Sequence, residues 1–173
     1  FMKTPVERIV ILDFGSQYTQ LIARRIRELQ VYCEIVPFDA DPKLILRDEV
    51  RGIVLSGSPA SVHDADAPIP KLDLFGTGVP VLGICYGCQL MGLQAGAGIG
   101  KAAQREYGPA LLEIVTPGGL LDGIPSDSPF QVWMSHGDHL ETLPEGFEMI
   151  ARTRKIPFAA VADAGRRLYG VQF

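Results

Sequence analysis

Five residues, Gly83-Ile84-Cys85-Tyr86-Gly87, join an apolar run from Val79 to Ile84 to a helical pattern that continues from Gln89. A strand there would deliver the cysteine to the rim of a sheet, and the flanking glycines permit the tight turn of a nucleophile elbow. The free N–H groups and dipole at the start of the following helix are expected to favour the thiolate, the reactive form. The same placement also suits a small buried hydrophobe. A second stretch, Ser56-Gly57-Ser58-Pro59-Ala60-Ser61-Val62, follows another apolar run, and its backbone N–H groups could hold a developing oxyanion at the same edge. A third, Trp133-Met134-Ser135-His136-Gly137-Asp138-His139, brings the only tryptophan together with two of the three histidines and reads as a substrate-facing loop. Its spacing is short and no further ligand cluster accompanies it, so no metal is assigned to it.

The elements that must position these residues are short. Arg8 to Asp13 reads as a strand buried on both faces, and Cys33 to Pro37, Gly52 to Ser56 and Val79 to Ile84 read as three further short strands. Between the first two, Leu21, Ile22, Arg25, Ile26 and Leu29 recur at helical spacing, with Ser16 as the expected N-cap. Gly15 reads as part of the strand-to-helix turn rather than as a phosphate cradle. Asp41-Pro42 opens a brief helix by the cap-then-proline rule, and Lys71 to Phe75 is expected to form another. This βαβαβ alternation implies a parallel sheet with helices on both faces, and ligands at the carboxyl ends of its strands. The helix after Cys85 is expected to dissolve in the glycines of Ala95 to Gly100. From Pro109 onward only short β-rich runs remain: Ala110–Val115, Gln131–Met134, Phe147–Thr153, Phe158–Ala162 and Leu168–Phe173. They read as an extension of the sheet with antiparallel pairs.

The bulk numbers narrow the function classes. A length of 173 residues is most simply one domain. A net charge of −4 and a pI near 5.3 argue against a nucleic-acid surface, which needs a basic footprint. No apolar run approaches the roughly 20 residues that cross a bilayer, so no membrane association is expected. The amino end shows no signal-peptide core, and Phe1 ahead of Met2 looks like an added residue. Cys33, Cys85 and Cys88 are odd in number; Cys85-x-x-Cys88 straddles the elbow and is not read as a redox pair. Reduced thiols and a cytoplasmic setting are the expectation.

Six stretches in order, Asp13-Phe14-Gly15-Ser16-Gln17-Tyr18, Ser56-Gly57-Ser58-Pro59, Gly83 to Gln89, Arg105-Glu106-Tyr107-Gly108, Met134-Ser135-His136-Gly137-Asp138 and Tyr169-Gly170-Val171-Gln172-Phe173, resemble the class I glutamine amidotransferase domain of the GMP synthetases. The resemblance covers nearly the whole chain. The opening Asp-Phe-Gly-Ser-Gln-Tyr, the tyrosine after the cysteine and the Met-Ser-His-Gly-Asp stretch point to the GMP synthetase branch. It implies a flavodoxin-like α/β fold, with a mostly parallel sheet, helices on both faces and an antiparallel extension.

The chemistry so implied is hydrolysis of the glutamine side-chain amide by Cys85 through a thioester. Backbone amides of Tyr86 and of the Gly57-Ser58 stretch would form the oxyanion hole, and Gln89, Ser135 and His136 would hold the amino-acid end of glutamine. Ammonia would pass to a partner synthetase domain or subunit that uses ATP and Mg to aminate xanthosine monophosphate; no cofactor is implied in this domain. There are two departures. Gly57-Ser58 stands where the family has two adjacent glycines, and a serine narrows the backbone angles available. The family also continues past Tyr-Gly-Val-Gln-Phe into a His-Pro-Glu that supplies the base and its carboxylate, whereas this sequence stops at Phe173. Residues 1–173 are therefore expected to be an amidotransferase domain cut short at its carboxyl end, with impaired turnover, since His63, His136 and His139 do not occupy the base position. The alternatives are the amidotransferase of another synthase, making anthranilate or carbamoyl phosphate, and a non-catalytic docking module.

Overall fold

The β-branched runs of the first half become the parallel end of a sheet that has nine strands among the described residues, and the inner ones are apolar enough to be covered on both faces. The computed structural model describes residues 6–173; the readings placed on Phe1, Met2 and the rest of residues 1–5 lie outside the described residues. In chain order the elements are β1 (Arg8–Asp13), α1 (Thr19–Glu28), β2 (Cys33–Pro37), α2 (Pro42–Ile45), β3 (Val50–Leu55), β4 (Val81–Ile84) and α3 (Tyr86–Gln94). Then follow β5 (Ile99–Ile114), β6 (Phe130–Leu140), β7 (Glu148–Arg152), β8 (Ala160–Asp163) and β9 (Leu168–Val171).

The sheet runs β2-β1-β3-β4-β9-β8-β7-β5-β6. Its first five strands are mutually parallel and have the flavodoxin-like order. The remaining strands pair antiparallel. The last strand therefore returns to the parallel sheet beside β4 instead of remaining in the extension. Strand alternation sorts the core: Val10 and Leu12 pack with Ile45 of α2 and Leu90 and Met91 of α3, whereas Ile11 packs with Ala23 of α1 on the opposite face. A separate core of Leu112, Met134, Ile150 and Ala160 lies under the antiparallel strands. Among the described residues no helix is long and apolar enough to cross a membrane.

Four local expectations are corrected. The first helix begins at Thr19, and Ser16 does not cap it: the Ser16 hydroxyl accepts the Tyr18 N–H in the preceding turn, and Asp13 binds the Gly15 N–H and the Thr19 hydroxyl. No helix forms at Lys71–Phe75, because the Asp73 carboxylate takes the Phe75 N–H in a turn while Leu72 and Leu74 both enter the core. Strand β5 starts at Ile99, well before Ala110. The glycines end α3 through a left-handed Gly96, which donates to the Leu93 carbonyl while Ala97 donates to Gly92, and the chain goes straight into pairing with β6. The stretch from Trp133 to His139 is not a loop but most of β6, whose buried positions alternate as Val132, Met134, His136, Asp138 and Leu140.

Two glycines set how closely the strands and α3 approach. A methyl group on Gly83 would fall 2.5 Å from the Gly87 carbonyl carbon, and one on Gly87 would fall 2.6 Å from the Leu55 carbonyl oxygen. Both obstacles are backbone, so neither can rotate away. Gly87→Ala is therefore expected to lower the unfolding free energy by about 1–3 kcal/mol in denaturant titrations; an unchanged midpoint would mean that β3 and α3 can separate freely.

Candidate active site

The junction of β4 and α3 holds Cys85 at φ 52°, ψ −105°, a left-handed conformation that a side-chain-bearing residue adopts at a cost of about 1–3 kcal/mol. The conformation persists because both neighbours are fixed. The Cys85 N–H extends the parallel ladder to the Val171 carbonyl at 2.7 Å, and its carbonyl accepts the Gln89 N–H at 3.1 Å in the first turn of α3. The expected elbow is present. The half-buried thiol lies where two cavities of about 760 and 310 Å³ meet, with Ser58, Arg105, Ser135 and His136 lining both.

The sulfur has two polar neighbours besides the Tyr86 N–H. Its S–H faces the Ser135 carbonyl at 3.6 Å, and the Gln172 side-chain amide donates to it at 3.5 Å. Burial pushes the thiol up, and the Tyr86 N–H, Arg105 and Gln172 only partly offset this. Desolvation therefore opposes the thiolate-favouring effect expected of the helix start.

The two backbone stretches assigned to the oxyanion flank the sulfur. A methyl group on Gly57 would stand 3.8 Å from Cys85 Cβ. Neither Gly57 nor Ser58 has positive φ, so the serine fits its backbone without strain. Among the described residues, the Gly57 and Ser58 N–H groups have no hydrogen-bond acceptor. The loop is pinned from below by Ser56, whose hydroxyl accepts the Phe14 N–H at 2.9 Å and donates to the Gly57 carbonyl at 2.9 Å. The Tyr86 ring turns away into the core. Its hydroxyl donates to the Pro68 carbonyl at 2.8 Å, and burial, with Asp64 second, pushes it up to about 12.

Two residues expected to hold the substrate are engaged within the protein. Gln89 lines the smaller cavity, but its side-chain amide donates to the Asp138 carbonyl at 2.8 Å and to Gln172 Oε1 at 3.3 Å. His136 lines both cavities, with Nδ1 3.0 Å from the Asp138 carbonyl and Nε2 3.0 Å from Glu106 Oε2. Burial pushes its imidazole down, and Glu106 and the Asp138 carbonyl pull it back only in part. Ser135 meets the site through its carbonyl. Of the other histidines, His63 Nε2 lies 3.0 Å from the Ile99 carbonyl and the His139 ring is centred 6.3 Å from that of His136. Cys88 is fully buried against Gly170, where a methyl group would fall 2.6 Å from its sulfur, and burial holds its thiol up to about 12.

Sequence reasoning missed Gln172, Glu106 and the backbone of Asp138 as site residues, although each lies within a stretch singled out above. The signal was parity: on β5 and β6 Glu106 is paired with His136, a relation that appears only once the register is known.

Residues 10–173 match the family model "Glutamine amidotransferase class-I". The GMP synthase [glutamine-hydrolyzing] of Syntrophomonas wolfei subsp. wolfei is 50% identical over 167 residues, covering 96% of this chain and 32% of that protein. The protein of the same name from Pseudomonas syringae pv. syringae is 51% identical over 172 residues, covering 96% and 33%. The chain therefore spans about a third of the length of the curated relatives it matches. A crystal structure from Thermoplasma acidophilum, described as that of a GMP synthase subunit, superposes with a TM-score of 0.83 at 30% identity over 99% of this chain and 85% of that one. A glutamine amidotransferase from Thermotoga maritima shares the fold, with a TM-score of 0.74 at 19% identity over 98% and 76%.

The exposure pattern makes an alkylation experiment discriminating. Iodoacetamide followed by mass spectrometry of the native protein is expected to modify Cys85 and spare the buried Cys33 and Cys88. Because burial raises the Cys85 thiol, the rate should still be climbing as the pH passes the ordinary cysteine value of about 8.5. Early saturation of the rate, or modification at Cys88, would contradict this account of the site.

Proposed function

The chain belongs to the class I glutamine amidotransferase family, and from that footing we propose that it is the glutaminase portion of a GMP synthetase. The observation that carries the chemical part is the strained Cys85 elbow with the unengaged N–H groups of Gly57 and Ser58 beside it. Cys85 Sγ attacks the side-chain amide carbon of glutamine, and the oxyanion settles on the Tyr86 N–H and on the Gly57-Ser58 backbone. The C–N bond breaks, ammonia leaves with an added proton, and water then cleaves the thioester to glutamate and restores the thiol. A single oxyanion donor of this kind is worth roughly 2.7–4 kcal/mol of transition-state stabilisation. Ser135, through its backbone, and Gln89 line the walls against which the amino-acid end of glutamine would lie.

Proton transfer needs a base beside the raised thiol. The imidazoles of His63, His136 and His139 make no hydrogen bond to the sulfur among the described residues, and His136 has both ring nitrogens engaged. We assign the base to the His-Pro-Glu segment that in the family follows Tyr-Gly-Val-Gln-Phe. The larger cavity reaches Phe173 and leaves room for such a segment to approach Cys85. Ammonia then serves a synthetase domain or subunit, with ATP and Mg, for amination of xanthosine monophosphate. The relatives at about half identity carry the GMP synthase name, which favours this reading over an anthranilate or carbamoyl phosphate partner.

The test is ammonia release from glutamine by the natural chain extended past Phe173. Hydrolysis is expected there and should disappear in Cys85→Ala with the fold intact. Ser58→Pro, which removes one N–H, should lower the turnover number roughly 10²–10³-fold. Full activity in Cys85→Ala would sink the reading, and full activity in Ser58→Pro would remove Ser58 from the oxyanion hole.

A further inference from the structure

A circuit of hydrogen bonds and one covalent link leaves the Cys85 sulfur on one side and returns to it on the other. It leaves through the Ser135 carbonyl at 3.6 Å, and Ser135 is joined by its peptide bond to His136. The His136 ring stands 3.0 Å from Glu106 Oε2 through Nε2 and 3.0 Å from the Asp138 carbonyl through Nδ1. That carbonyl also accepts from Gln89 at 2.8 Å; Gln89 reaches Gln172 at 3.3 Å, and Gln172 returns to the sulfur at 3.5 Å. His136, Gln89 and Gln172 are all at most 4% exposed. Such buried polar circuits hold one geometry when every member is paired, and an unpaired member is expensive.

Glu106 anchors the circuit from outside, at His136 Nε2, and the sheet register puts it there. Lys101 pairs with Asp138 and Glu106 with His136, so residues 102–105 stand opposite the single Gly137. This bulge brings Glu106 back into the ladder with its carboxylate on the buried histidine. The ring has an acceptor at each nitrogen. To donate to both, the ring must carry a proton on each nitrogen. Other charged or titratable groups face the pair: Lys155, 3.9 Å from Glu106; the His139 ring; the Asp138 carboxylate, bound by the Ser61 hydroxyl; and Arg105 in the cavities.

We propose that Glu106 is a positioning residue for the Cys85 nucleophile, holding through His136 both the Ser135 carbonyl and the Asp138–Gln89–Gln172 chain against the sulfur. The proposal rests on the reading of Cys85 as the attacking group. It also reassigns His136 from holding substrate to holding the thiol's surroundings. A glutamine at position 106 would keep both ring bonds, its amide donating to Nε2 while Nδ1–H donates to the Asp138 carbonyl. Alanine leaves Nε2 without a partner.

The experiment compares wild type, Glu106→Ala, Glu106→Gln and Glu113→Ala in the full natural chain. Glu113→Ala is the control, because it removes an exposed carboxylate of β5 paired, among the described residues, only with Arg152. Iodoacetamide alkylation of Cys85 is followed from about pH 6 to about pH 11, alongside glutamine turnover. In Glu106→Ala the alkylation rate at neutral pH should fall about tenfold and its midpoint should move to higher pH, as the sulfur loses a held N–H. The turnover number should fall with little change in KM, Glu106→Gln should recover both, and Glu113→Ala should match wild type. A wild-type profile in Glu106→Ala overturns the proposal, as does an equal loss in Glu113→Ala. If Glu106→Ala does not fold, Glu106→Asp, which shortens the reach, takes its place under the same two criteria. If wild type hydrolyses no glutamine but the alkylation profiles still separate as described, the glutaminase reading falls and the positioning role stands.

Discussion

The backbone of Cys85 is the constraint on which the rest of the site depends. A side-chain-bearing residue at φ 52° is held there only if the chain on both sides is immovable. On one side the Cys85 N–H completes the β4–β9 ladder; on the other its carbonyl starts α3. The helix can begin so close to the strand because Gly83 and Gly87 carry no side chain where the two backbones meet. The elbow glycines therefore act by letting backbone approach backbone, and the positive φ is confined to the cysteine itself. That division explains why a motif of small residues yields a rigid site instead of a flexible one.

The elbow alone does not make a reactive sulfur. Helix start, Arg105 and Gln172 all favour the thiolate, yet burial dominates and the thiol remains up. The surrounding side chains are mostly spent on one another: Gln89 and Gln172 on a carbonyl and a sulfur, His136 on Glu106 and a carbonyl. What remains unengaged near Cys85 among the described residues is backbone, the N–H groups of Gly57 and Ser58, and an exposed guanidinium, Arg105. Fixed N–H donors suit charge that develops during a reaction, because they need no reorganisation when it appears.

Much of this was legible in the sequence. The parallel half was readable because its strands are short β-branched runs, and β1 and β2 have the bounds that pattern predicts. The Asp41 cap with Pro42 was likewise readable, being a local signal locally satisfied. The failures share a cause. On β6 the period-two alternation is complete, but two of its buried positions are His136 and Asp138, so an apolar count sees only Val132, Met134 and Leu140. At Lys71–Phe75 the two leucines are core residues of an extended turn, and a single Asp73 side chain decides against the helix. Glu106 could not be found at all without the register, because its partner is 30 residues away.

The same reasoning explains why polar residues occupy a buried strand face. An apolar pair at positions 106 and 136 would pack β5 against β6 with no desolvation penalty, as alternating strands ordinarily do. It would leave the Asp138 carbonyl with Gln89 alone and the Ser135 carbonyl free to shift. A closed polar circuit is less forgiving than an apolar contact: each member has one arrangement in which all are paired, and displacement of any one leaves a buried donor or acceptor exposed to nothing. The bulge at residues 102–105 is the structural means by which β5 supplies that last partner while still pairing along the rest of its length. Precision at the sulfur is thus obtained from sheet register, several strands away from the elbow that presents it.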